Sequence, residues 1–299
     1  MEMTANKTPE PHSHQPRLTV LIPVYQRFDG ALRACRSVLD HNRQELESGR
    51  IQVVVCDDAS PSIDPDLLKQ DLAVIHPLIN YRRNKTNLGM SANILSMVAS
   101  CHSFLCTVLT DDDWFEPGAL AEILTLLDAA WFHHDSVTSI FSPRYSYLES
   151  GEFATISCRL DTSNRLFPSL AQGCLLPLAE AAYILSGYFF RPDCVDVRLW
   201  RQHIHNAFFP IIYCASILRT GATLYLDQPL VHHTTQNLCH WEAWGASDQA
   251  QQQRLCHDYL EALAVVSKLC RPGALSLKQR FNHHRERCKA FRKIGRAHV

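Results

Sequence analysis

Two groups of adjacent aspartates carry the side chains of this sequence that are best suited to chemistry. Asp57 and Asp58 form a pair, and Asp111, Asp112 and Asp113 form a run of three. Carboxylates this close repel one another, so their ionised forms need a cation or hydrogen-bond donors nearby. Mg²⁺ or Mn²⁺ suits such oxygen ligands, because it takes one or two carboxylates and completes its coordination with substrate phosphates. The run of three therefore predicts a metal site that neutralises charge on a departing diphosphate.

Each aspartate group directly follows a short apolar segment. The segments at 51–56 (IQVVVC) and 104–109 (FLCTVL) are nearly continuous in apolar and β-branched residues, as is the segment at 18–24 (LTVLIPV). This composition is typical of strands that are buried on both faces of a sheet. A helical pattern separates the first two segments, and further elements are predicted as a strand at 78–82 and a helix at 91–100. Alternating strands and helices predict a mostly parallel α/β sheet with right-handed crossovers.

The carboxyl ends of parallel strands lie at one edge of the sheet, where open α/β sheets bind their ligands. Both aspartate groups are predicted at that edge. Asp57 or Asp58 would accept hydrogen bonds from a base or ribose, as a strand-end carboxylate does in dinucleotide sites. Together the two groups predict a nucleoside-diphosphate pocket. The alternative is that strand-end aspartates cap the helices that follow them.

The remainder of the chain is less regular. Apolar spacing predicts helices and strands that alternate less strictly than in the first part. The predicted elements are a helix from after Pro117 to about Trp131, strands at 137–142 and 153–158, an aromatic apolar segment at 183–191, a helix at 213–218, a strand at 223–226 and a helix at about 247–270.

Charge is distributed unevenly along the 299 residues. The segment from Arg271 onward has a charge of +8, so the rest of the chain carries −9. An acidic body argues against a nucleic-acid binder, whose positive charge should cover a working face. The basic segment at 278–293 has a thin apolar stripe, so it is predicted either to be a solvated helix or to lie on an anionic membrane surface.

No apolar segment approaches the ~20 residues that cross a bilayer, and residues 1–17 lack a secretory apolar region. We therefore expect a cytoplasmic protein, with peripheral contact at the inner face of a membrane as a hypothesis.

Four segments of the first half resemble, in order and spacing, the successive signatures of the family 2 glycosyltransferases. The segments are LIPVYQR at 21–27, VVVCDDAS at 53–60, RRNKTNLGMSANI at 82–94 and LTDDDWFEPGAL at 109–120. Each motif is weak alone, but four in register over about 100 residues are specific. The resemblance covers roughly residues 18–130 well and the rest loosely. It implies a Rossmann-like GT-A fold with a helical C-terminal extension, and transfer of a sugar from a nucleotide donor with inversion at the anomeric carbon.

The resemblance also implies roles for individual residues. By motif position, the donor nucleotide would be bound by Pro23, Val24, Tyr25, Asp57, Asp58, Arg83, Asn87, Gly89 and Asp111. The D-x-D metal signature of the family falls on Thr110, Asp111 and Asp112, so its first acid is a threonine here. Asp112 is the predicted ligand of Mg²⁺ or Mn²⁺. Asp113 or Asp111 would assist it directly or through water.

The general base is not assigned by the resemblance. Many family members have an acidic pair before a helix of the acceptor half, but that place here holds Phe208, Phe209 and Pro210. This portion instead resembles the branch that includes O-antigen deoxyhexosyltransferases, with Asn237 and Trp241 in its later Asn-x-x-x-Trp-like element. A base must still lie within hydrogen-bond reach of the acceptor hydroxyl. The candidates are Asp113, Asp196 and His205.

The predicted organisation has four parts. Residues 1–17 form a disordered lead-in, 18–130 the donor half, 131–235 the acceptor half of the same domain, and 236–299 a helical extension that is basic from 271. Residues 294–299 (IGRAHV) resemble a translated sequencing adapter. The leading hypothesis is a metal-assisted transfer of a sugar to a glycan or lipid-linked acceptor. The alternatives are a non-catalytic nucleotide-sugar-binding protein and a nucleotidyltransferase, and the second is disfavoured because the chain lacks a Gly-rich, basic N-terminal loop.

Overall fold

The computed structural model of the chain describes residues 15–148, 150–169, 178–179, 181–183, 185–234 and 249–269. In its first part strands and helices alternate, as the apolar periodicity predicts. The elements are β1 (Leu18–Val24), α1 (Phe28–Leu39), α2 (Arg43–Glu47), β2 (Ile51–Asp57), α3 (Pro65–Ile75), β3 (Asn80–Arg83), α4 (Met90–Ala99) and β4 (Leu105–Val108). Helix α3 is an addition to the predicted elements. Its N-cap is Asp64, which accepts hydrogen bonds from the backbone N–H groups of Asp66 and Leu67, and Pro65 at the first position suits a helix start.

The second part has short strands between helices. The elements are β5 (Trp114–Phe115), α5 (Ala119–Asp128), α6 (Ala130–His134), β6 (Val137–Phe141), β7 (Arg144–Tyr147), β8 (Phe153–Ser157), β9 (Arg165–Phe167), β10 (Tyr188–Phe190), α7 (Val197–Gln202), α8 (Phe209–Leu218), β11 (Ala222–Tyr225), β12 (Val231–Thr234) and α9 (Gln249–Leu269). The helix predicted after Pro117 divides in two because Ala129 is extended, with φ −74° and ψ 127°. Helix α8 begins four residues before the predicted start, and Pro210 lies in its first turn, where a missing N–H costs nothing.

Eight strands form the main sheet, in the order β3-β2-β1-β4-β10-β6-β11-β9. Strands β3, β2, β1 and β4 are mutually parallel. Because the order reverses between β1 and β4, the loops that follow these two strands open a crevice at the carboxyl edge. Strands from 18–130 and from 131–235 belong to this one sheet.

Strand β10 runs antiparallel to both of its neighbours, β4 and β6. Phe189 pairs with Thr107 and Phe190 with Cys106. The chain therefore enters β10 at the carboxyl edge of the sheet and leaves it at the amino edge. Strand β11 is parallel to β6, so it starts at the amino edge again.

Hydrophobic clusters cover both faces of the sheet, which explains why β1 is apolar along its whole length. Val20 and Ile22 pack with side chains of α1 and α5 on one face. Leu21 belongs to the cluster on the other face, which includes side chains of α4, α8 and α9. A second sheet, in the order β5-β12-β7-β8, lies beyond the end of β4. Within the described residues, no helix combines the length and the apolar character required to cross a membrane.

Candidate active site

Charged side chains meet in the crevice between β1 and β4. The backbone N–H of Tyr25, just after β1, lies 3.5 Å from Oδ2 of Asp111, just after β4. Nη1 of Arg27 lies 3.0 Å from Oδ1 of Asp111 and 3.3 Å from Oδ2 of Asp112. Helix α1 begins at the next residue, so the positive end of its dipole points toward these carboxylates.

Helix α1 approaches Asp111 closely because of Gly30. A Cβ atom placed on Gly30 would overlap the backbone carbonyl oxygen of Asp111. Any larger residue at this position would have to displace the helix or the carboxylate loop. The glycine therefore belongs to the machinery that positions the acidic run.

Asp111 and Asp112 are buried carboxylates with incomplete charge compensation. Their exposed fractions are 6% and 8%. Burial raises the pKa of Asp111 to about 7, although Arg27 opposes the shift. Burial, followed by the negative charge of Asp113, also raises the pKa of Asp112. Two buried carboxylates facing one guanidinium fit a divalent cation, whose charge would remove this penalty.

Asp113 differs from its two neighbours because the protein already satisfies its oxygens. It is fully buried. Its Oδ1 accepts hydrogen bonds from Nδ1 of His233 and the backbone N–H of Thr234, both at 3.2 Å, and its Oδ2 accepts one from Oγ1 of Thr110 at 2.7 Å. Burial would raise its pKa, but the charge and the hydrogen bond of His233 outweigh burial and hold the pKa below its ordinary value. Asp113 thus ties strand β12 to the carboxylate loop.

Asp57 is the centre of a second buried network, at the end of β2. Its Oδ1 accepts hydrogen bonds from the backbone and hydroxyl of Ser60, at 3.0 and 2.6 Å. Its Oδ2 lies 2.6 Å from Nη1 of Arg83 and 3.4 Å from the Tyr81 hydroxyl. Arg83 also donates to the carbonyl of Ser60 at 2.8 Å. This network fixes the guanidinium of Arg83 at the carboxyl end of β3.

Asp58 holds the loop between β3 and α4. Its Oδ1 accepts hydrogen bonds from Nδ2 of Asn84 at 2.8 Å and from the backbone N–H of Leu88 at 2.9 Å. Its Oδ2 accepts one from the N–H of Gly89 at 2.9 Å, and Oδ1 of Asn87 accepts from the same N–H at 2.8 Å. Gly89 has φ +81°, a conformation that glycine adopts without strain. The carboxylate therefore binds the chain just before the start of α4.

The remaining predicted nucleotide-binding residues lie at the end of β1 and directly after it. Pro23 and Val24 are buried within the strand, and the backbone carbonyl of Val24 accepts a hydrogen bond from the N–H of Asp58 at 2.9 Å. Tyr25 is 40% exposed. The tyrosine directly after the buried strand therefore presents part of its ring to solvent.

The structure does not bring Asp196 to this edge. The chain leaves β10 at the amino edge, and Asp196 caps α7 by accepting from the backbone N–H of Leu199 at 2.9 Å. Its own N–H donates to the hydroxyl of Ser216 at 3.3 Å, near the end of α8 that leads into β11. His205 lies in the loop between α7 and α8 and is exposed.

Other residues of the site are not among the sequence-predicted set. Arg27 and Asn84 lie within the quoted motifs, so motif membership is the signal that could have found them. His233 belongs to a pair of adjacent histidines whose side chains diverge, as expected for neighbours on a strand. His233 contacts Asp113, whereas His232 stacks on Trp114 with ring centroids 5.0 Å apart. Asn237 and Trp241 lie outside the described residues.

Comparison with known proteins identifies the family. A family model described as Glycosyl transferase family 2 matches residues 19–172, just over half of the chain. Uncharacterized proteins of Mycobacterium tuberculosis and Mycobacterium bovis are each 27% identical over 133 residues, which are 43% of this chain and 37% of the relative. The alignment thus spans little more than a third of the length of these relatives.

Solved structures share the fold. Crystal structures of S. aureus TarS match with a TM-score of 0.54 and 12% identity in the complex with UDP, over 85% of this chain and 70% of that chain. The complex with UDP-GlcNAc matches with a TM-score of 0.53 and 13% identity, over 88% of this chain and 77% of that chain. The predicted GT-A fold is confirmed, and by the match over residues 19–172 the chain belongs to glycosyl transferase family 2.

Proposed function

We propose that this protein transfers a sugar from a nucleoside-diphosphate sugar to a hydroxyl of a glycan or lipid-linked acceptor, with inversion at the anomeric carbon and with a divalent cation. The observation that carries the proposal is the crevice between β1 and β4. There the carboxylates of Asp111 and Asp112 meet at the carboxyl edge of the sheet, beside Arg27. Membership of glycosyl transferase family 2 supports the reaction class.

The proposed donor is supported by the neighbours in fold. TarS has been solved with UDP and with UDP-GlcNAc, and a donor of the same chemical class suits the groups of this crevice. Tyr25 would stack on the base. Asp57 is fully buried and both of its oxygens have partners, so it would act by holding Arg83, whose guanidinium would contact the base or the diphosphate. The β3–α4 loop, with Asn87 and Gly89, would approach the diphosphate.

Asp112 is the proposed ligand of Mg²⁺ or Mn²⁺, and Asp111 is next to it. When bound, such a cation neutralises charge on the leaving diphosphate. Arg27, which contacts both carboxylates, would hold them in place. The hydrogen bonds of Asp113 to His233, Thr234 and Thr110 favour a positioning role, in which this residue orients the loop that carries Asp112.

A donor screen tests the proposal. The purified protein is incubated with UDP-, GDP-, CDP- and dTDP-sugars and with Mn²⁺ or Mg²⁺, and release of free nucleotide is measured. We expect release from one donor only and only with metal. The variant Asp112→Ala should lower the rate roughly 100-fold or more, because several kcal/mol of charge stabilisation are lost. Asp135→Ala is the matched control, since Asp135 lies just before β6 at the amino edge.

The outcomes separate the proposal from its competitor. A donor that binds tightly without being turned over, even with crude glycolipid added, would favour a nucleotide-sugar-binding protein without catalysis. Metal-independent release unaffected by Asp112→Ala would contradict the metal assignment. Proton NMR of the fresh product, read from the anomeric coupling constant, tests inversion directly.

A further inference from the structure

A histidine and a glutamate that are far apart in sequence form a pair on the acceptor side of the molecule. Nδ1 of His203, in the loop between α7 and α8, lies 2.9 Å from Oε1 of Glu261 on α9. The His203 side chain is 16% exposed and that of Glu261 is 39% exposed. The pair is therefore half-buried and open to solvent on one side.

Glu261 is fixed in place by a buried amide. Nδ2 of Asn206, a residue that is only 5% exposed, donates to Oε2 of Glu261 at 2.8 Å and to the backbone carbonyl of Asp258 at 2.9 Å. These bonds use both hydrogens of the amide. The hydrogen bond from Asn206, followed by that from His203, lowers the pKa of Glu261. Glu261 is thus an ionised carboxylate, which only accepts hydrogen bonds.

This arrangement decides which nitrogen of His203 carries the proton. Because the partner of Nδ1 is an acceptor, the neutral imidazole must hold its hydrogen on Nδ1 and its lone pair on Nε2. A carboxylate that orients a histidine in this way also stabilises the imidazolium that forms when Nε2 takes up a proton. His203, oriented by Glu261, therefore has the lone pair and the stabilising partner that a general base requires.

The fold places the pair at the same edge as the acidic run. Helix α8 ends where the chain enters β11 at the amino edge, so its start, and the loop before it, lie toward the carboxyl edge. Nε1 of Trp200 on α7 donates to the hydroxyl of Ser91 at 2.9 Å, and Ser91 lies in the first turn of α4, next to the loop held by Asp58. The direction of α8 and the hydrogen bond between Trp200 and Ser91 thus both place 203–208 toward the carboxyl edge.

We propose that His203 is the catalytic base that takes the proton of the acceptor hydroxyl, and that Glu261 is its positioning residue. The inference rests on the proposed glycosyl transfer. The other candidates are less suited: both oxygens of Asp113 already have partners, and Asp196 caps a helix at the opposite edge. His205, two residues away, is exposed, and the structure records no carboxylate contact for it.

The chemical step balances as follows. The O–H bond of the acceptor breaks and its proton passes to Nε2 of His203. The oxygen lone pair forms the new bond to the anomeric carbon of the donor, and the bond from that carbon to the diphosphate breaks. Its electrons leave with the nucleoside diphosphate. The carboxylate of Glu261 contacts the imidazole directly. The side chains of Asp258 and His257 form a cluster with Glu261, and Nδ1 of His257 lies 3.7 Å from Oδ1 of Asp258.

The experiment uses the full chain with the donor and metal that the screen identifies, and with a panel of p-nitrophenyl hexosides as acceptor probes. We expect His203→Gln to keep the donor dissociation constant within about twofold, measured by titration calorimetry, and to lower kcat by roughly 100-fold or more. Glutamine can still donate a hydrogen bond to Glu261 but cannot take up a proton. If His203→Gln keeps its thermal midpoint and transfers within threefold of the wild type, the proposal is overturned.

The split between kcat and KM distinguishes a base from a structural histidine. Glu261→Gln keeps an acceptor for Nδ1 of His203 but removes the negative charge beside the imidazole, so it should lower kcat and leave the KM for the acceptor close to that of the wild type. An unchanged kcat would contradict the dyad. His134→Ala is the matched control, because His134 forms an exposed pair with Asp135, with 3.0 Å between Nδ1 and Oδ1, and it should leave transfer unchanged.

Two further results have separate meanings. Loss of transfer in His205→Ala with full activity in His203→Gln would assign the proton to the neighbouring histidine and overturn the proposal. A wild type that binds none of the donors would instead contradict the proposed glycosyl transfer itself. The two failures are therefore distinguishable in one set of measurements.

Discussion

At the scale of single residues, the three consecutive aspartates have different environments although they are chemically identical. Asp111 and Asp112 face the crevice and Arg27, whereas Asp113 is fully buried and bonded to His233 and Thr234. The difference follows from the turn after β4, which sends successive side chains in different directions. Three adjacent aspartates thus divide into two that contact Arg27 and one that is bonded to strand β12, and the proposed roles of ligand binding and positioning follow this division.

Asp111→Asn should stabilise the metal-free protein at high pH. The pKa of folded Asp111 is raised from 3.8 to about 7, so the folded state binds this proton more tightly than the unfolded chain does. The carboxylate therefore destabilises the fold increasingly as pH rises from about 4 to 7, and by a constant amount above that. We expect Asp111→Asn to raise the free energy of unfolding at pH 8 by up to about 4 kcal/mol and to change it little at pH 4.

Urea unfolding in the presence of a chelator, at pH 4, 6 and 8, measures this effect. Asp135→Asn serves as control, because Asp135 is exposed and its contact is with the exposed side chain of His134. An Asp111→Asn variant with the same stability difference at pH 4 and pH 8 would show that burial does not perturb Asp111.

At the scale of elements, the site depends on loops that are held by contacts with residues of other elements. Asp58 at the end of β2 binds the backbone N–H groups of Leu88 and Gly89, so strand and helix start move together. Gly30 lets α1 lie against the loop that carries Asp111. Both devices act through backbone position, and neither requires contact with a ligand.

Asp58→Ala should weaken donor binding through the β3–α4 loop. The change leaves the backbone N–H of Leu88 without its acceptor, which costs about 1–3 kcal/mol when the group stays buried, whereas the N–H of Gly89 keeps Oδ1 of Asn87 as its acceptor. We expect lower stability and donor affinity reduced roughly tenfold, measured by thermal unfolding and calorimetry. Asp64→Ala is the matched control: it removes the cap of α3, at a cost of about 1 kcal/mol, and should leave donor affinity unchanged. Equal donor affinity in both variants would refute the role of Asp58.

Gly30→Ala should displace the carboxylate loop. The added Cβ meets the carbonyl oxygen of Asp111, so α1 or the loop must shift. We expect weaker Mn²⁺ binding and a lower thermal midpoint, measured by calorimetry and by circular dichroism. Asp29→Ala, an exposed change in the same turn, should alter neither. If Gly30→Ala leaves the affinity for Mn²⁺ unchanged, the added Cβ displaces helix α1 and not the loop that carries Asp111.

At the scale of the whole molecule, the C-terminal helix is part of the core. Helix α9 lies beyond residues 19–172, the part matched by the family model. Its apolar side chains nevertheless belong to the hydrophobic cluster that includes α4 and α8, and Tyr259 packs edge-on against Phe208 with ring centroids 5.2 Å apart. The helix thereby brings Glu261 to the loop before α8.

Tyr259→Ala should destabilise the protein as a whole. Tyr259 is 1% exposed, and truncation of a buried aromatic side chain costs about 3–5 kcal/mol. We expect a lower midpoint in a single thermal transition, followed both by circular dichroism and by tryptophan fluorescence. Leu260→Ala is the matched control, because Leu260 is 42% exposed. Two separate transitions would indicate that α9 unfolds independently of the sheet.

The amino-acid sequence by itself determined the strands and helices of the first half of the chain and the carboxylates at the strand ends. Continuous apolar segments predict β1, β2 and β4, and aspartates directly after two of them predict carboxylates at one sheet edge. These features depend on neighbours in the chain, so local patterns are sufficient to predict them. The family signatures at 21–27, 53–60, 82–94 and 109–120 lie within the same stretch, which is why fold and family were both predictable.

Only the tertiary structure decided which of these groups meet and which direction they face. Arg27 meets Asp111 across 84 positions of the chain, and His203 meets Glu261 across 58. Strand β10 runs antiparallel to its neighbours, so Asp196 lies at the opposite edge of the sheet. A short apolar segment does not indicate the direction in which its strand will run, so the sequence could not predict this. Such pairings follow from how helices pack on a sheet and which donors reach which acceptors, and these quantities are set by the assembled core and not by any local stretch of sequence.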